Sequence, residues 1–403
     1  MVLLFWVSCV IIAYVYAGYP ALLMVWARLR PRPIADGPSS AAPGVSIVIA
    51  ERNEGPRLAG RLDNLLQLAY PSDRRQIIVV SDGSTDETLD VLRRYQGLVD
   101  AVAIEARGKA SALNAGVARA KHEILVFADV RQVFARDAVV ELISPFRDPR
   151  VGAVTGELLL DGEAPGRRVA RADRRRGNAT FPPQTYANSR AGADRRRGLD
   201  STIADGVGLY WRYEKKLRRL ESSVGSTLGA TGAIYAMRRS LWVPLPPDTI
   251  LDDVLAPMQA VLEGYRTVFN EKARAFDRVA PDADAEARRK VRTLAGNFQV
   301  LWLEPRLLLP WRNPVWLQYV SHKIGRLVVP YALITLIASS MAVADRSIVF
   351  AAALAAQCGF YLLAGYGAWL DMRGTIAFGR MAPVMSVAWP SVRRPDRQGT
   401  VNV

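Results

Sequence analysis

Cysteine and histidine are nearly missing from this sequence. Its 403 residues hold two of each, Cys9, Cys358, His122 and His322. Both cysteines sit inside apolar runs, where a free thiol acts as a small hydrophobe, so there is no disulfide framework. A zinc cage of the ordinary His/Cys kind is excluded for the same reason, and any metal must be a hard cation held by oxygen, Mg²⁺ or Mn²⁺. Charge is missing locally too: residues 1–26 contain no Lys, Arg, Asp or Glu. About 20 such residues suffice to cross a bilayer as a helix. A cleaved signal peptide is the competing reading, but there is no basic leading segment and the run is too long, which favours an uncleaved anchor. Two more apolar runs, 327–344 and 348–370, are separated only by Asp345, Arg346 and Ser347, and so predict a helical hairpin.

What is present is positive charge, a net +15. Arg28, Arg30 and Arg32 follow the first run, Lys323 and Arg326 precede the second, and Arg373, Arg380, Arg393, Arg394 and Arg397 follow the third. The positive-inside rule puts all of these in the cytoplasm and the 345–347 connection outside. Residues 33 to about 300 then form a cytoplasmic domain of a multi-pass inner-membrane protein. Such a charge could meet nucleic acid, but a tethered protein more simply meets membrane lipids and phosphates, so no nucleic-acid partner is expected.

Beyond a Pro/Gly/Ser/Ala linker at 31–44, strand and helix signals alternate. Strands are predicted at 45–50, 76–81, 100–105 and 123–128, and helices at 57–68, 86–95 and 109–120. That alternation predicts an α/β fold with a mostly parallel sheet between helices, whose ligands bind at the carboxyl ends of the strands. Three loops follow those ends, 51–55, 82–86 and 129–132.

Residues 161–206 interrupt the pattern with the sequence ADRRRG, repeated at 172–177 and 193–198, in an Arg-rich stretch without apolar periodicity. They predict a mobile insertion, either a solvated surface excursion or a lipid contact. Order resumes with an amphipathic helix at 209–223, a Gly-rich turn running into a strand within 225–242, a helix opened by acids at 250–265 and a strand at 266–270. A helix at 286–302 places Val291, Leu294, Ala295, Phe298, Leu301 and Trp302 at helical spacing, opposite Arg288, Arg289 and Arg292. The Trp- and Pro-bearing stretch 303–322 reads as a membrane-interface segment.

The segment VVSDGSTDET (79–88) could be an ordinary turn with a helix cap, or a carboxylate aimed at a nucleobase. Its company decides: VSIVIAERNEG, VVSDGSTDET, RGKASALNAGV and ILVFADVRQ stand in order, each after a predicted strand. This series resembles the membrane-associated family 2 glycosyltransferases, with the GT-A nucleotide-sugar-binding fold, over about 45–300 and the flanking spans.

The resemblance implies roles. Glu54 and Asp82 would hold the nucleoside of a nucleotide-sugar donor, Lys109 would lie near the donor, and Asp129 would be the first carboxylate of the metal motif. Asp252 and Asp253 match the family's acidic pair, whose second member is the general base; two dipole-favoured helix acids are the plainer reading. "GATGAIYAMRR" resembles the loop that closes around donor and acceptor.

Two departures stand out. Arg131 occupies the place where the family often has a second aspartate, and it either faces phosphate or makes a surface ion pair. The Gln-x-x-Arg-Trp signature of processive polysaccharide synthases is replaced by RRKVRTLAGN, which keeps Arg289 and Arg292 as donor-site candidates and puts Thr293 where the tryptophan would stand.

The expected arrangement is an N-terminal anchor at 1–30, a linker at 31–44, a catalytic domain at 45–300, an interfacial segment at 301–326, a membrane hairpin at 327–370 and a cytoplasmic tail at 371–403. The expected activity is an inverting sugar transfer from a UDP-sugar or related donor to a hydroxyl or phosphate of a lipid-linked or surface glycan acceptor, with Mg²⁺ or Mn²⁺ and with export or polymerisation proteins as further partners. A processive β-polysaccharide synthase and an inactive nucleotide-sugar-binding membrane partner are the alternatives; the joint presence of Asp82, Asp129 and Asp253 argues against the latter.

Overall fold

In the computed structural model, residues 1–35, 37, 42–160, 200–277 and 283–372 are described. The two ADRRRG repeats and residues 373–403 of the expected cytoplasmic tail lie outside them, so the expectations for both fall outside the described residues.

Eight strands form one sheet in the order β3-β2-β1-β4-β7-β6-β8-β5. They are β1 Val45–Glu51, β2 Arg75–Asp82, β3 Asp100–Ile104, β4 Ile124–Ala128, β5 Val133–Phe134, β6 Val151–Leu160, β7 Ile234–Arg238 and β8 Arg266–Asp277. The N-terminal half is parallel throughout, β3 on β2, β2 on β1 and β1 on β4. The second half is mixed: β7 runs antiparallel to both β4 and β6, β6 and β8 are parallel, and β5 is antiparallel to β8. The parallel half follows from its sequence, because continuous β-branched runs buried on both faces need helical crossovers between them. β6 carries no such signal; Gly152 and Gly156 dilute its apolar run, and only its pairing with β7 and β8 makes it a strand.

Helices cover both faces. Gly55–Leu66 and Thr88–Arg94 seal one side, with Leu58, Leu62, Leu65, Val91 and Leu92 against Ile47, Ile49, Ile77 and Val79. Lys109–Arg119 and Asp252–Leu262 seal the other, with Leu113, Val117, Leu255 and Met258 against Val48, Ile78, Val80 and Phe127. Each fully buried Leu or Val contributes about 1.5–3 kcal/mol relative to exposure. The parallel strands are thereby pinned in register, and their carboxyl-end loops emerge side by side.

Three helical stretches, Val2–Leu29, Trp316–Arg346 and Ile348–Tyr366, are long and apolar enough to cross a membrane. The first two each contain a wide π-helical turn, at Tyr14–Gly18 and Tyr319–Ile324. The second stretch begins at Trp316, well before the apolar run that hydropathy picks out at 327–344. His322, Lys323 and Arg326 interrupt its hydropathy, but they face the long helix Asp200–Val224, so the helix continues through them. That same helix meets the first span, where Tyr19 and Leu23 are buried against Leu217 and Val224. It starts at Asp200, inside the stretch expected to be an insertion.

Residues Val291, Leu294, Phe298 and Trp302 of the helix Ala283–Leu303 are exposed, not core. The helix packs through another edge, with Gly296 against Ile250 and Leu251 and with Val300 buried. Trp302 and Trp311 are 86% and 75% exposed.

Candidate active site

The first two strand-end loops are tied together by short polar side chains. The Asn53 backbone N–H donates to Ser84 Oγ at 3.0 Å, and Thr85 N–H donates to Asn53 Oδ1 at 2.8 Å. Gly55 N–H donates to Asp86 Oδ2 at 3.1 Å and Glu54 N–H to Thr88 Oγ1 at 3.2 Å. The bond from Thr88 above all, and that from Gly55, hold the Asp86 carboxyl below its usual range. Asp86 therefore braces the loop.

Asp82 closes the second loop onto a third, 105–108 after β3, which makes the loop 129–132 the fourth. Its Oδ1 accepts from Arg107 N–H at 2.7 Å and its Oδ2 from Gly108 N–H at 2.9 Å, just before the helix that begins at Lys109. Gly83 makes this possible: its φ is +64°, and a Cβ there would lie 2.8 Å from the Ala106 backbone nitrogen. The side chain expected to hold a nucleoside thus also fixes the start of the Lys109 helix. Glu54 is on the same rim, paired with Arg57 at 2.8 Å.

Lys109 joins the third loop to the fourth. Its Nζ lies 3.2 Å from Asp129 Oδ1 and 3.4 Å from Asp252 Oδ1. Burial would lower this ammonium, but Asp252, Asp129 and Asp253 together hold it above its usual value. Asp129 follows β4, whereas Asp252 opens the helix Asp252–Leu262, so a lysine brings together two acids distant in sequence.

Asp253 is held from the other side. Gly232 N–H donates to its Oδ2 at 2.8 Å. A Cβ on Gly232 would stand 3.0 Å from the same oxygen, so the bare backbone is what allows the approach. Burial first, and then the Asp252 charge, push the Asp253 carboxyl up to about 6, with Lys109 and the Gly232 N–H opposing. A carboxylate with that value can accept a proton near neutral pH.

Behind these acids lies Tyr235, fully buried on β7 and stacked on Phe127 with ring centroids 4.6 Å apart. Its hydroxyl has no hydrogen-bond partner, and burial followed by Asp252, Asp253 and Asp129 raises it well above the usual tyrosine value. Arg61, only 2% exposed, lies over the Phe134 ring at 4.1 Å. Asp129 lies within its electrostatic reach, although burial holds this guanidinium down at about 9. Arg61 is marked by no sequence motif, and Tyr235, although it falls within GATGAIYAMRR, reads there as an ordinary packing residue of a strand.

The remaining expectations divide. Arg131 turns to Asp277, Nη2 to Oδ2 at 2.7 Å, so of the two roles open to it the ion pair is realised. Arg289 and Arg292 lie on exposed turns of the helix Ala283–Leu303, outside the buried cluster, although that helix touches the site's edge where Gln299 Oε1 accepts from Ile250 N–H at 2.8 Å. Among the described residues no three His, Cys, Asp or Glu side chains form a metal-binding group. Lys109 already stands between Asp129 and Asp252. An ion held by Asp129 would thus draw most of its oxygen ligands from elsewhere, a diphosphate and water being the suitable donors.

Comparison with known proteins bears on the family and the fold. Residues 46–216 match the family described as Glycosyl transferase family 2. The chain is 33% identical over 117 residues to the poly-beta-1,6-N-acetyl-D-glucosamine synthase of Staphylococcus aureus strain COL, covering 28% of each. The Staphylococcus epidermidis protein of the same name is 34% identical over a stretch of the same length. The chain thus spans little over a quarter of the length of these curated relatives. A solved mannosyltransferase from Pyrobaculum calidifontis, in complex with GDP-Man and Mn²⁺, superposes with a TM-score of 0.63 at 22% identity, over 94% of this chain and 99% of that one. At that identity the likeness establishes the fold.

Proposed function

We propose that this chain, whose residues 46–216 match glycosyl transferase family 2, is a membrane-embedded, inverting glycosyltransferase that draws on a cytoplasmic nucleotide-sugar donor. The observation that carries this reading is the convergence of Asp129, Asp252 and Asp253 on Lys109 beside the Asp82 loop. Four separate segments of sequence meet there.

Each residue then has a task. Asp82 and Glu54 line the nucleoside end. Lys109 faces the diphosphate and offsets its charge as the bond to sugar C1 breaks. Asp253 takes the acceptor's hydroxyl proton as that oxygen attacks C1 from the face opposite the diphosphate. The C1–O bond breaks, its electron pair leaves with the nucleoside diphosphate, and the configuration at C1 inverts. Where Mg²⁺ or Mn²⁺ accompanies the donor, Asp129 is the carboxylate suited to hold it, and the ion supplies further charge neutralisation to the leaving diphosphate. Arg289 and Arg292 would reach the donor only if the exposed turns that carry them close over the site.

Donor class is tested by thermal unfolding of the full chain with a panel of nucleotide sugars, with and without Mn²⁺. Stabilisation by one base alone identifies the donor, and hydrolysis of that donor confirms productive binding. If no nucleotide sugar raises the melting temperature, the reading fails. The similarity to poly-beta-1,6-N-acetyl-D-glucosamine synthases favours polymer formation as a second reading. Product length on incubation with donor separates the two, a single added sugar excluding the polymerase.

A further inference from the structure

Below the acids, where the second span enters the membrane, lies a layer of charge that the transfer chemistry above leaves unused. The helix Asp200–Val224 presents Glu214, Arg218 and Glu221, one or two turns apart, to the π-helical turn Tyr319–Ile324 and the turn after it. Glu221 Oε1 is taken by His322 Nδ1 at 2.6 Å and by the Tyr19 hydroxyl at 2.9 Å. Glu214 lies 2.5 Å from Arg326 Nη2 and 3.7 Å from His322 Nε2. Arg326 thus pairs with Glu214, and His322 and Tyr19 with Glu221, while both acids stay within electrostatic reach of Lys323. Three cations face them, Arg218, Lys323 and Arg326. Among the described residues Lys323 has neither a hydrogen bond nor an ion pair, while Arg218 reaches only the neutral hydroxyl Thr231 Oγ1.

Lys323 and Arg218 are half-buried, open to an incoming anion, and a cation that no ion pair meets inside a membrane protein marks a substrate path. The position fits that role. Thr231, the partner of Arg218, is followed directly by Gly232, whose N–H holds the Asp253 carboxylate. Arg218 is thus connected to the proposed general base through two consecutive residues, Thr231 and Gly232. Lys323 and Asp253 also sense each other's charge.

We propose that Lys323 and Arg218 hold the phosphate of a lipid-linked acceptor, placing the sugar hydroxyl attached beyond that phosphate at Asp253. The inference rests on the glycosyltransferase reading and adds the acceptor's chemical class to it. A phosphate between an apolar tail and a sugar suits both halves of the site: the tail follows the exposed apolar side of the span, and the hydroxyl needs the base that Asp253 provides. An arginine offers a bidentate fork to phosphate oxygens, and a lysine adds a compact charge.

The test uses the full chain in phosphatidylcholine nanodiscs, with bound lipid counted by native mass spectrometry. The probes are a polyprenyl phosphosugar and a polyprenyl glycoside of equal chain length lacking the phosphate. The phosphosugar is expected to bind at least ten-fold better. Lys323→Met is expected to abolish that preference and Lys323→Arg to restore it, with Arg218→Met weakening it similarly. The Lys323→Met melting temperature should stay level, since the side chain gives up no hydrogen bond or ion pair among the described residues, and this separates lost binding from lost fold. Equal binding of the two lipids, or an unchanged preference in Lys323→Met, overturns the proposal. So does equal displacement by phosphatidylglycerol, which would mean a general headgroup contact, or by inorganic phosphate, which would mean a free-anion site. Nucleotide-sugar binding measured on the same sample keeps the two readings apart: its absence removes the glycosyltransferase assignment, while a phosphate preference that persists still places the lipid at Lys323.

Discussion

Arg131 Nη2 and Asp277 Oδ2 stand 2.7 Å apart, joining the loop after β4 to the end of β8. Gln132 Nε2 reaches the same oxygen at 2.9 Å. The position where a second metal-binding aspartate would fall is thus committed to closing the sheet's far edge, and Asp129 is left as the single carboxylate of its motif. Metal binding should accordingly depend on nucleotide. Titration calorimetry with Mn²⁺ alone is expected to give weak binding, and tightening of at least ten-fold is expected once the matching nucleoside diphosphate is present. Tight Mn²⁺ binding by the unliganded chain would contradict this.

Asp253→Asn keeps the size of the side chain and removes the base. Sugar transfer should fall by about 10²–10⁴, the usual worth of general-base catalysis, with nucleotide affinity within about two-fold of the parent. Full transfer activity by this variant in vesicles would move the base elsewhere.

The Asp253 carboxyl, held up to about 6 by burial and by Asp252, has two pH signatures. Below about pH 6 it is protonated and cannot accept the hydroxyl proton, so transfer should rise about ten-fold per pH unit on the acid side and level off above neutrality. Its folded-state value exceeds the unfolded value of about 3.9, so the stability it contributes is present at low pH and is lost as pH rises through about 6. Asp253→Asn should therefore melt higher than the parent at pH 7.5 and show a smaller advantage at pH 5. An advantage that does not grow with pH would refute the shift.

Lys109 separates two carboxylates that would otherwise face each other. Lys109→Met should cost about 1–3 kcal/mol in urea unfolding, the penalty for charged partners left without their donor. Asp129→Asn added to Lys109→Met should recover part of that loss. Additive destabilisation would show that Lys109 does not couple them.

The Tyr235 hydroxyl is buried without a partner, so removing it breaks no hydrogen bond of the ligand-free protein. Tyr235→Phe is expected to keep or raise the melting temperature while lowering transfer, as the hydroxyl lies within electrostatic reach of all three site acids. A variant that loses stability and keeps its rate would make Tyr235 a packing residue only.

The parallel half of the sheet could be read from sequence because its strands are continuous β-branched runs between amphipathic helices, as in VSIVIA and QIIVVS. Asp82 and Asp129 could be singled out for a related reason, since each sits where such a strand ends, whereas Asp253 opens a helix and was legible only through its resemblance to the family's acidic pair. β6 could not be read, because its strand character comes from β7 and β8. The apolar stripe Val291–Leu294–Phe298 was legible as a stripe but not as an exposed one, because helical spacing records one face and says nothing of what covers it. Lys323 and Arg218 illustrate the same limit. In sequence they are a flanking positive charge and one cation in a charged helix, and their meeting beside Asp253 depends on a helix crossing that no local pattern encodes.

The bond from the Tyr19 hydroxyl to Glu221, at 2.9 Å, has a practical consequence for work with this protein. Anchors are commonly trimmed away to make a domain soluble. Here, cutting off the first span would strip a partner from Glu221, uncover Leu217 and Val224, and loosen the helix that carries Arg218. A truncated, detergent-free preparation would retain the donor-side loops and lose the floor on which the acceptor rests, so it should hydrolyse donor while failing to transfer.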